Sequence, residues 1–316
     1  MTREREPLDD LEAEPFAAEL LAVAASAAPS PALRARLLAA AAASRRPGRP
    51  VVHVEEITPL EALRRTHRCM AELVDSISVQ EATALTIEGW TVAGLIGHLT
   101  AIERYFGSVL GWWDDPAPHD VTDHLTMTRP AVAIAEAADF EEVRMRWHDA
   151  TGAVEGRLVE LEGRLSERVD FHSFDLSVRS LLVARTFEVW THDEDIRRAL
   201  GREPEAPDPA RLRVMTQSAV AALPIGMALI DRPPAGRAVR VVLTGDGGGS
   251  WLQPLEFGAD TVAVGAPAPS ATLLTDAVSF CRVAARRLAP RDLDHRVQGD
   301  ASLIDDVLAA VAVFAA

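Results

Sequence analysis

The sequence predicts an α plus α+β fold, in which a four-helix bundle is followed by a smaller α+β domain. Apolar residues recur at helical spacing throughout residues 57–201. A proline-rich segment, GREPEAPDP, ends this helical region, and beyond it the pattern changes to short strands around a glycine-rich turn. A chain of 316 residues is also long enough for two domains.

Residues 1–56 are predicted to form an N-terminal arm that is partly helical or flexible. An acidic opening leads into alanine-rich stretches that are interrupted by prolines, and the arm ends in the linker-like sequence SRRPGRP. The arm contains too little bulky apolar sequence to form a core of its own. We therefore expect it to be mobile or loosely docked.

The bundle is assigned to residues 57–205. Thr58 precedes Pro59, the order expected for an N-cap followed by proline at the first helical position. Gly201 is expected to end the last helix. The first two helices are predicted to start at residues 59 and 91. The third and fourth are predicted to span residues 140–165 and 175–200. A loop is expected at 112–130.

The C-terminal α+β domain is assigned to residues 206–316. Strand-like sequence surrounds GDGGGS, which we interpret as a hairpin turn, since it lacks the lysine and hydroxyl residue of a phosphate-binding loop. The predicted elements are a helix at 211–230, strands at 238–246, 251–257 and 261–266, and helices at 275–288 and 301–314.

Composition excludes several classes of protein. The formal net charge is -15, from 32 basic residues, all of them arginine, against 47 acidic ones. This negative field disfavours general nucleic-acid binding.

No apolar run is long enough for a membrane span, and the charged start lacks the apolar core of a signal peptide, so a cytoplasmic location is expected. Cys69 and Cys281 are too few for a disulfide framework and are expected to be inert core residues.

One predicted helix carries a stripe of ionisable residues. Arg185, Glu188, His192 and Asp195 are spaced by three, four and three positions, so they share one helical face. The surrounding sequence is apolar, and burying four ionisable groups is costly unless they pair or bind metal. Glu188 and His192 can reach one metal ion, although the same spacing also suits a solvated face with paired charges.

His98 is the candidate third ligand. It lies on the apolar stripe of the second predicted helix, where a histidine can equally be an ordinary core residue. A bundle brings facing helices together, so His98 can meet Glu188 and His192 across the core. Two histidines and one carboxylate are the ligand set of a catalytic zinc site with open positions.

Two motifs together resemble a known family. GWTVAGLIGHL, followed much later by RTFEVWTHDEDIRRALG, resembles the DinB-like metalloenzyme superfamily, and specifically its mycothiol-dependent maleylpyruvate isomerase-like branch. The stretch SFCRVAARRLAPRDLDHRVQGDASLIDDVLAAV resembles the sterol-carrier-like C-terminal domain of that branch. The resemblance covers about residues 58–316.

The resemblance implies a role for each residue of the stripe. His98, Glu188 and His192 would be ligands of Zn²⁺ or another divalent metal. Arg185 and Asp195 would orient those ligands; alternatively, Arg185 would meet a substrate carboxylate and Asp195 would cap or pair near the helix end.

The resemblance also implies the chemistry. A low-molecular-weight thiol such as mycothiol would be the cosubstrate, and its metal-activated sulfur would attack a small-molecule electrophile in an isomerisation or an S-transfer. A dicarboxylate substrate would need cationic partners. The candidates are Arg185, Arg240, Arg286 and Arg287; each could instead be a solvated or helix-pairing arginine, which is the interpretation we favour for Arg287.

A regulatory function is the alternative. Part of the arm faintly resembles a region of anti-sigma factors, although it lacks their metal-binding signature. In this interpretation the bundle binds metal without catalysis, and residues 1–50 contact a protein partner. Neither interpretation includes nucleic acid or a membrane as a partner.

Overall fold

The computed structural model describes residues 54–314, except 88, 115–123, 173, 233–235 and 257–267, together with a few positions between residues 30 and 36. Almost all of the predicted arm therefore lies outside the described residues. The strand predicted at 261–266 lies outside them as well.

Five α-helices make up the first part of the described chain. Thr58 caps the first helix by accepting a hydrogen bond from the Glu61 backbone, and Thr91 and Ser177 cap two others in the same way. The four predicted helices are present. The helices are α1 (Pro59–Asp75), α2 (Val92–Val109), α3 (His124–Ala137), α4 (Phe140–Arg157) and α5 (Val178–Ala199).

The loop predicted at 112–130 was partly wrong, because helix α3 begins at residue 124. Pro130 lies inside α3, and proline normally interrupts a helix. Packing against α2 supports α3: the two helices approach so closely that an added Cβ atom at Gly97 would lie 2.4 Å from the Ala135 Cβ atom. This tertiary contact outweighs the local preference that the sequence pattern measures.

Two helix boundaries were also predicted wrongly. The helix expected at 140–165 ends at Arg157 and is followed by a 3-10 turn over Leu158–Leu161. The helix expected from residue 175 begins at Val178, because the preceding residues form an antiparallel hairpin of β1 (Arg168–Phe171) and β2 (Phe174–Ser177).

The remaining elements form an α+β unit, and the predicted α plus α+β fold is confirmed. Its strands are β3 (Ala238–Thr244), β4 (Gly249–Pro254), β5 (Ala271–Asp276) and β6 (His295–Gly299). They form one sheet in the order β4-β3-β5-β6, in which β3 pairs antiparallel with β4 and parallel with β5, and β5 pairs antiparallel with β6. The helices are α6 (Pro209–Ala221), α7 (Leu223–Leu229), α8 (Ala277–Ala284) and α9 (Ala301–Val311).

Several elements of this unit differ from their predictions. The single helix predicted at 211–230 is divided between α6 and α7. Residues 275–276 end strand β5 instead of starting a helix. Strands β5 and β6 had no counterpart in the prediction.

The buried apolar side chains fall into separate clusters, and the division into residues 57–205 and 206–316 remains a prediction. Buried side chains of α6 to α9 and the sheet form one cluster, to which α5 contributes Trp190. Two other clusters are formed by buried side chains between residues 60 and 196. Within the described residues, no single helix is long and apolar enough to cross a membrane; only α6 and α7 taken together, with a 45° bend between them, meet that requirement.

The close contact at Gly97 leads to a prediction. Gly97→Ala adds a methyl group 2.4 Å from Ala135 and 3.0 Å from the Ala131 carbonyl oxygen. Overpacking costs about 1–3 kcal/mol, which exceeds the gain of up to about 1 kcal/mol from better helix propensity. We expect a lower free energy of unfolding by urea titration. Gly152→Ala is the control: this helical position has open space around it, so the same substitution should increase stability.

Candidate metal centre

Three side chains from two helices converge in the bundle. His98 comes from α2, and Glu188 and His192 lie one turn apart on α5. Each offers one ligand atom, and these atoms lie within 4.8 Å of one another. His98 Nε2 is 3.4 Å from Glu188 Oε1, and the two imidazole rings have centroids 5.3 Å apart. The predicted meeting of α2 and α5 at these residues is therefore observed in the structure.

The second nitrogen of each histidine has its own partner. His98 Nδ1 lies 2.7 Å from the Thr128 hydroxyl on α3, and His192 Nδ1 lies 3.0 Å from Asp195 Oδ2. The ring of Trp90 lies 5.3 Å from that of His98. These contacts orient the rings so that Nε2 of each histidine is the candidate ligand atom, an arrangement common around protein-bound metals. Thr128 lies on α3, within the segment 112–130 that the sequence predicted to be a loop.

Arg185 forms an ion pair with Glu188, the carboxylate of the cluster. Its guanidinium is fully buried and donates to Glu188 Oε2, while its Nη2 atom donates to Glu103 Oε1 at 2.6 Å. Burial alone would lower the pKa of Arg185, but the charges of Glu103 and Glu188 raise it. Arg185 therefore remains a cation in the core.

Glu103 and His67 also belong to the site, although the sequence pattern did not predict a role for either of them. Glu103 Oε1 lies 3.1 Å from His67 Nε2, and both side chains are buried. Burial alone would raise the pKa of Glu103, but Arg185 and His67 lower it to about 2. The available signal was an acidic residue within an apolar helix, although its partners were not visible in the sequence.

The ion pair of His67 predicts a pH dependence of stability. Burial would lower the pKa of His67, but Glu103 raises it above its ordinary value. A group with a raised pKa contributes stability below its unfolded pKa of about 6.5, and this contribution is lost as pH rises through the folded pKa. At pH 5.5, metal-free His67→Gln should be less stable than wild type by about 1.5–3 kcal/mol. Urea titrations should show a smaller difference at alkaline pH; a constant difference would contradict the ion pair.

Asp195 connects the cluster to the C-terminal unit. Besides His192, it accepts hydrogen bonds from Arg287 Nε at 2.9 Å and Arg287 Nη2 at 2.7 Å. Burial would raise the pKa of Asp195, but His192 and Arg287 lower it. Of the two favoured interpretations of Arg287, a solvated or a helix-pairing arginine, the structure shows pairing with a helix. Next to Asp195, Glu194 forms a second such ion pair with Arg282.

The other predicted residues lie in the C-terminal unit. Arg240 is on β3, one of the two inner strands of the sheet, and is half-buried. Arg286 follows the C-cap residue of α8 and adopts a positive φ of 55°, in a turn where the Arg287 amide donates to the Arg282 carbonyl. Their roles remain predictions. Cys281 is buried, and burial raises the pKa of its thiol, whereas Cys69 is only half-buried.

The fold and the cluster together define a class: a helical bundle that presents two imidazoles and one carboxylate from facing helices. Such a ligand set suits a divalent metal and leaves coordination positions open. Residues 60–197 match the family model described as the mycothiol maleylpyruvate isomerase N-terminal domain. This match covers the helical bundle, 138 of the 316 residues of the chain.

Two solved structures are similar to the chain. One is a histidine-to-alanine mutant of the mycothiol-dependent maleylpyruvate isomerase, with a TM-score of 0.50 and 14% identity over 75% of this chain and 91% of that chain. The other is the mycothiol-dependent maleylpyruvate isomerase, with a TM-score of 0.47 and 16% identity over the same shares. At this identity the first likeness supports the fold alone. No curated protein matches the chain significantly.

Proposed function

We propose that the chain is a divalent-metal-dependent enzyme that uses a low-molecular-weight thiol of the mycothiol type on a small electrophile. The proposed metal ligands are His98, Glu188 and His192. The observation that carries this proposal is their convergence within 4.8 Å from two facing helices. The family of the bundle domain supports the choice of thiol and the isomerase-like reaction.

The surrounding residues would prepare the ligands. Asp195 accepts a hydrogen bond from His192 Nδ1, which directs Nε2 toward the cluster. Thr128 holds the His98 ring in the same manner. Arg185 occupies one oxygen of Glu188, so the other oxygen faces His98. A bound Zn²⁺, or another divalent ion, would lower the pKa of a coordinated thiol so that its sulfur reacts as a thiolate at neutral pH.

The reaction itself needs no nucleophile from the protein. Addition of the thiol to a cis double bond, rotation and elimination would give an isomerisation, whereas retention of the new carbon–sulfur bond would give an S-transfer. Maleylpyruvate is the first substrate to test, because it appears in the names of the family and of the similar structures. We propose Arg240 and Arg286 as partners for anionic groups of the substrate or thiol.

The test begins with metal content. Wild type, His98→Ala and His148→Ala would be purified without chelator and analysed by elemental mass spectrometry. His148 is the control because it lies at the surface and pairs with Asp75, away from the cluster. We expect near-stoichiometric metal in wild type and His148→Ala and a loss of metal in His98→Ala. Absence of metal from wild type, even after addition of Zn²⁺, would contradict the proposal.

A second measurement separates the two reactions. Metal-loaded protein would be incubated with maleylpyruvate and mycothiol, and free thiol would be titrated as the substrate is consumed. Isomerisation regenerates the thiol, so its concentration should stay constant; S-transfer consumes one thiol per substrate. If the metal-loaded protein shows no thiol-dependent turnover, the chain binds metal but lacks the proposed activity, and that result would contradict the proposed reaction.

A further inference from the structure

A chain of alternating charges leads from the protein surface to the candidate metal centre. Glu155, whose side chain is 42% exposed, lies 3.6 Å from His67 Nδ1. His67 Nε2 lies 3.1 Å from Glu103, Glu103 lies 2.6 Å from Arg185, and Arg185 contacts Glu188. The three middle residues are at most 1% exposed. Such a buried array is costly to assemble unless each charge has its partner.

Arg185 cannot act as a proton carrier in this array, because its guanidinium does not deprotonate in proteins. Its contribution is geometric. The rigid fork places Nη2 on Glu103 and Nη1 on Glu188, so two carboxylates determine the orientation of one plane. As a result, Oε2 of Glu188 is held by Arg185, and Oε1 faces His98 Nε2 at 3.4 Å.

We infer that Glu103 is a positioning residue for the metal centre, acting through Arg185 to make Glu188 a ligand that offers a single oxygen. The inference rests on the proposed function, since it requires Glu188 to be a ligand. Ligation by one oxygen leaves more of the coordination sphere for the thiol and the electrophile. Without the charge of Glu103, Glu188 would be the one anionic partner of Arg185 among the described residues, and the guanidinium would be held less firmly on the Glu103 side.

The test compares Glu103→Gln with Glu194→Gln. Both substitutions neutralise a fully buried glutamate that is paired with arginine, but Glu194 pairs with Arg198 and Arg282 instead of the cluster. Competition with a chromogenic chelator would give the dissociation constants for Zn²⁺ and Co²⁺. Loss of a residue that orients a ligand typically weakens metal binding about 10–100-fold. We expect this loss in Glu103→Gln and wild-type affinity in Glu194→Gln.

The visible spectrum of the Co²⁺-loaded protein adds a readout that general destabilisation would not change. If Glu188 gains freedom to bind through both oxygens, the coordination number rises and the d–d absorption weakens. Wild-type affinity and spectrum in Glu103→Gln would overturn the inference. If that variant does not fold, Arg185→Lys serves instead, since it keeps the charge but loses the fork; unchanged binding there would also overturn it.

The two proposals fail in different ways. If wild type binds no metal, the proposed function and this inference fail together. If wild type binds metal, His98→Ala does not, and Glu103→Gln behaves as wild type, only the positioning role of Glu103 is wrong.

Discussion

Replacing Arg185 with methionine is expected to lower the free energy of unfolding of the metal-free protein by about 3–5 kcal/mol, the usual cost of removing one partner from a buried ion pair. Methionine retains much of the volume of the side chain, so loss of packing contributes little. The cost arises because the buried carboxylate of Glu103 loses the shorter of its two ion pairs. Urea titration in the presence of a chelator would measure the effect.

Arg146→Met is the matched control for this prediction. Arg146 pairs with Glu142 on the surface of α4, where both side chains are nearly half exposed. An exposed pair at this spacing is worth about 0.3–0.5 kcal/mol. The double variant Arg185→Met/Glu103→Gln should be more stable than Arg185→Met, since it also removes the isolated charge. Equal losses in Arg185→Met and Arg146→Met would show that the buried array contributes little to stability.

Asp195→Asn is expected to weaken metal binding by about 10–100-fold. The substitution keeps the size of the side chain but removes the charge that Asp195 offers to His192 and Arg287. His192 then loses its preference for the tautomer that presents Nε2 to the cluster, and it becomes a weaker donor to a metal ion. Chelator competition with Zn²⁺ would give the ratio of dissociation constants.

Asp193→Asn provides the comparison. Asp193 is also buried on α5, but it pairs with Arg197 at 2.6 Å. If Asp193→Asn weakened zinc binding as much as Asp195→Asn, the effect would come from α5 as a whole and not from the hydrogen bond to His192.

The local part of the site was predictable from sequence. Spacings of three and four residues place side chains on one face of any α-helix, so the stripe from Arg185 to Asp195 required no tertiary information. The bundle itself followed from apolar periodicity. Helix α3 was not predicted, because Pro130 and the surrounding polar residues are typical of loops. The helix packs closely against Gly97 of α2, a tertiary contact that the sequence pattern does not reveal.

The remote partners were not predictable in the same way. Glu103 is separated from Arg185 by 82 residues, and Arg287 from Asp195 by 92. The sequence around Glu103 is typical of an ordinary amphipathic helix, and the sequence around Arg287 is typical of the last turn of one. Arg287 pairs with Asp195, and it follows Arg286, whose φ is 55°, in the turn after α8; the sequence pattern did not predict this turn.

The carboxylate that Arg287 and His192 share joins two parts of the chain that are far apart in sequence. Arg287 follows α8 in the C-terminal unit, whereas His192 lies on α5 in the bundle, and both contact Oδ2 of Asp195. The orientation of the His192 ring therefore depends on how the residues after α8 pack against α5. A substitution at Arg287 would reach a candidate metal ligand through the side chain of Asp195.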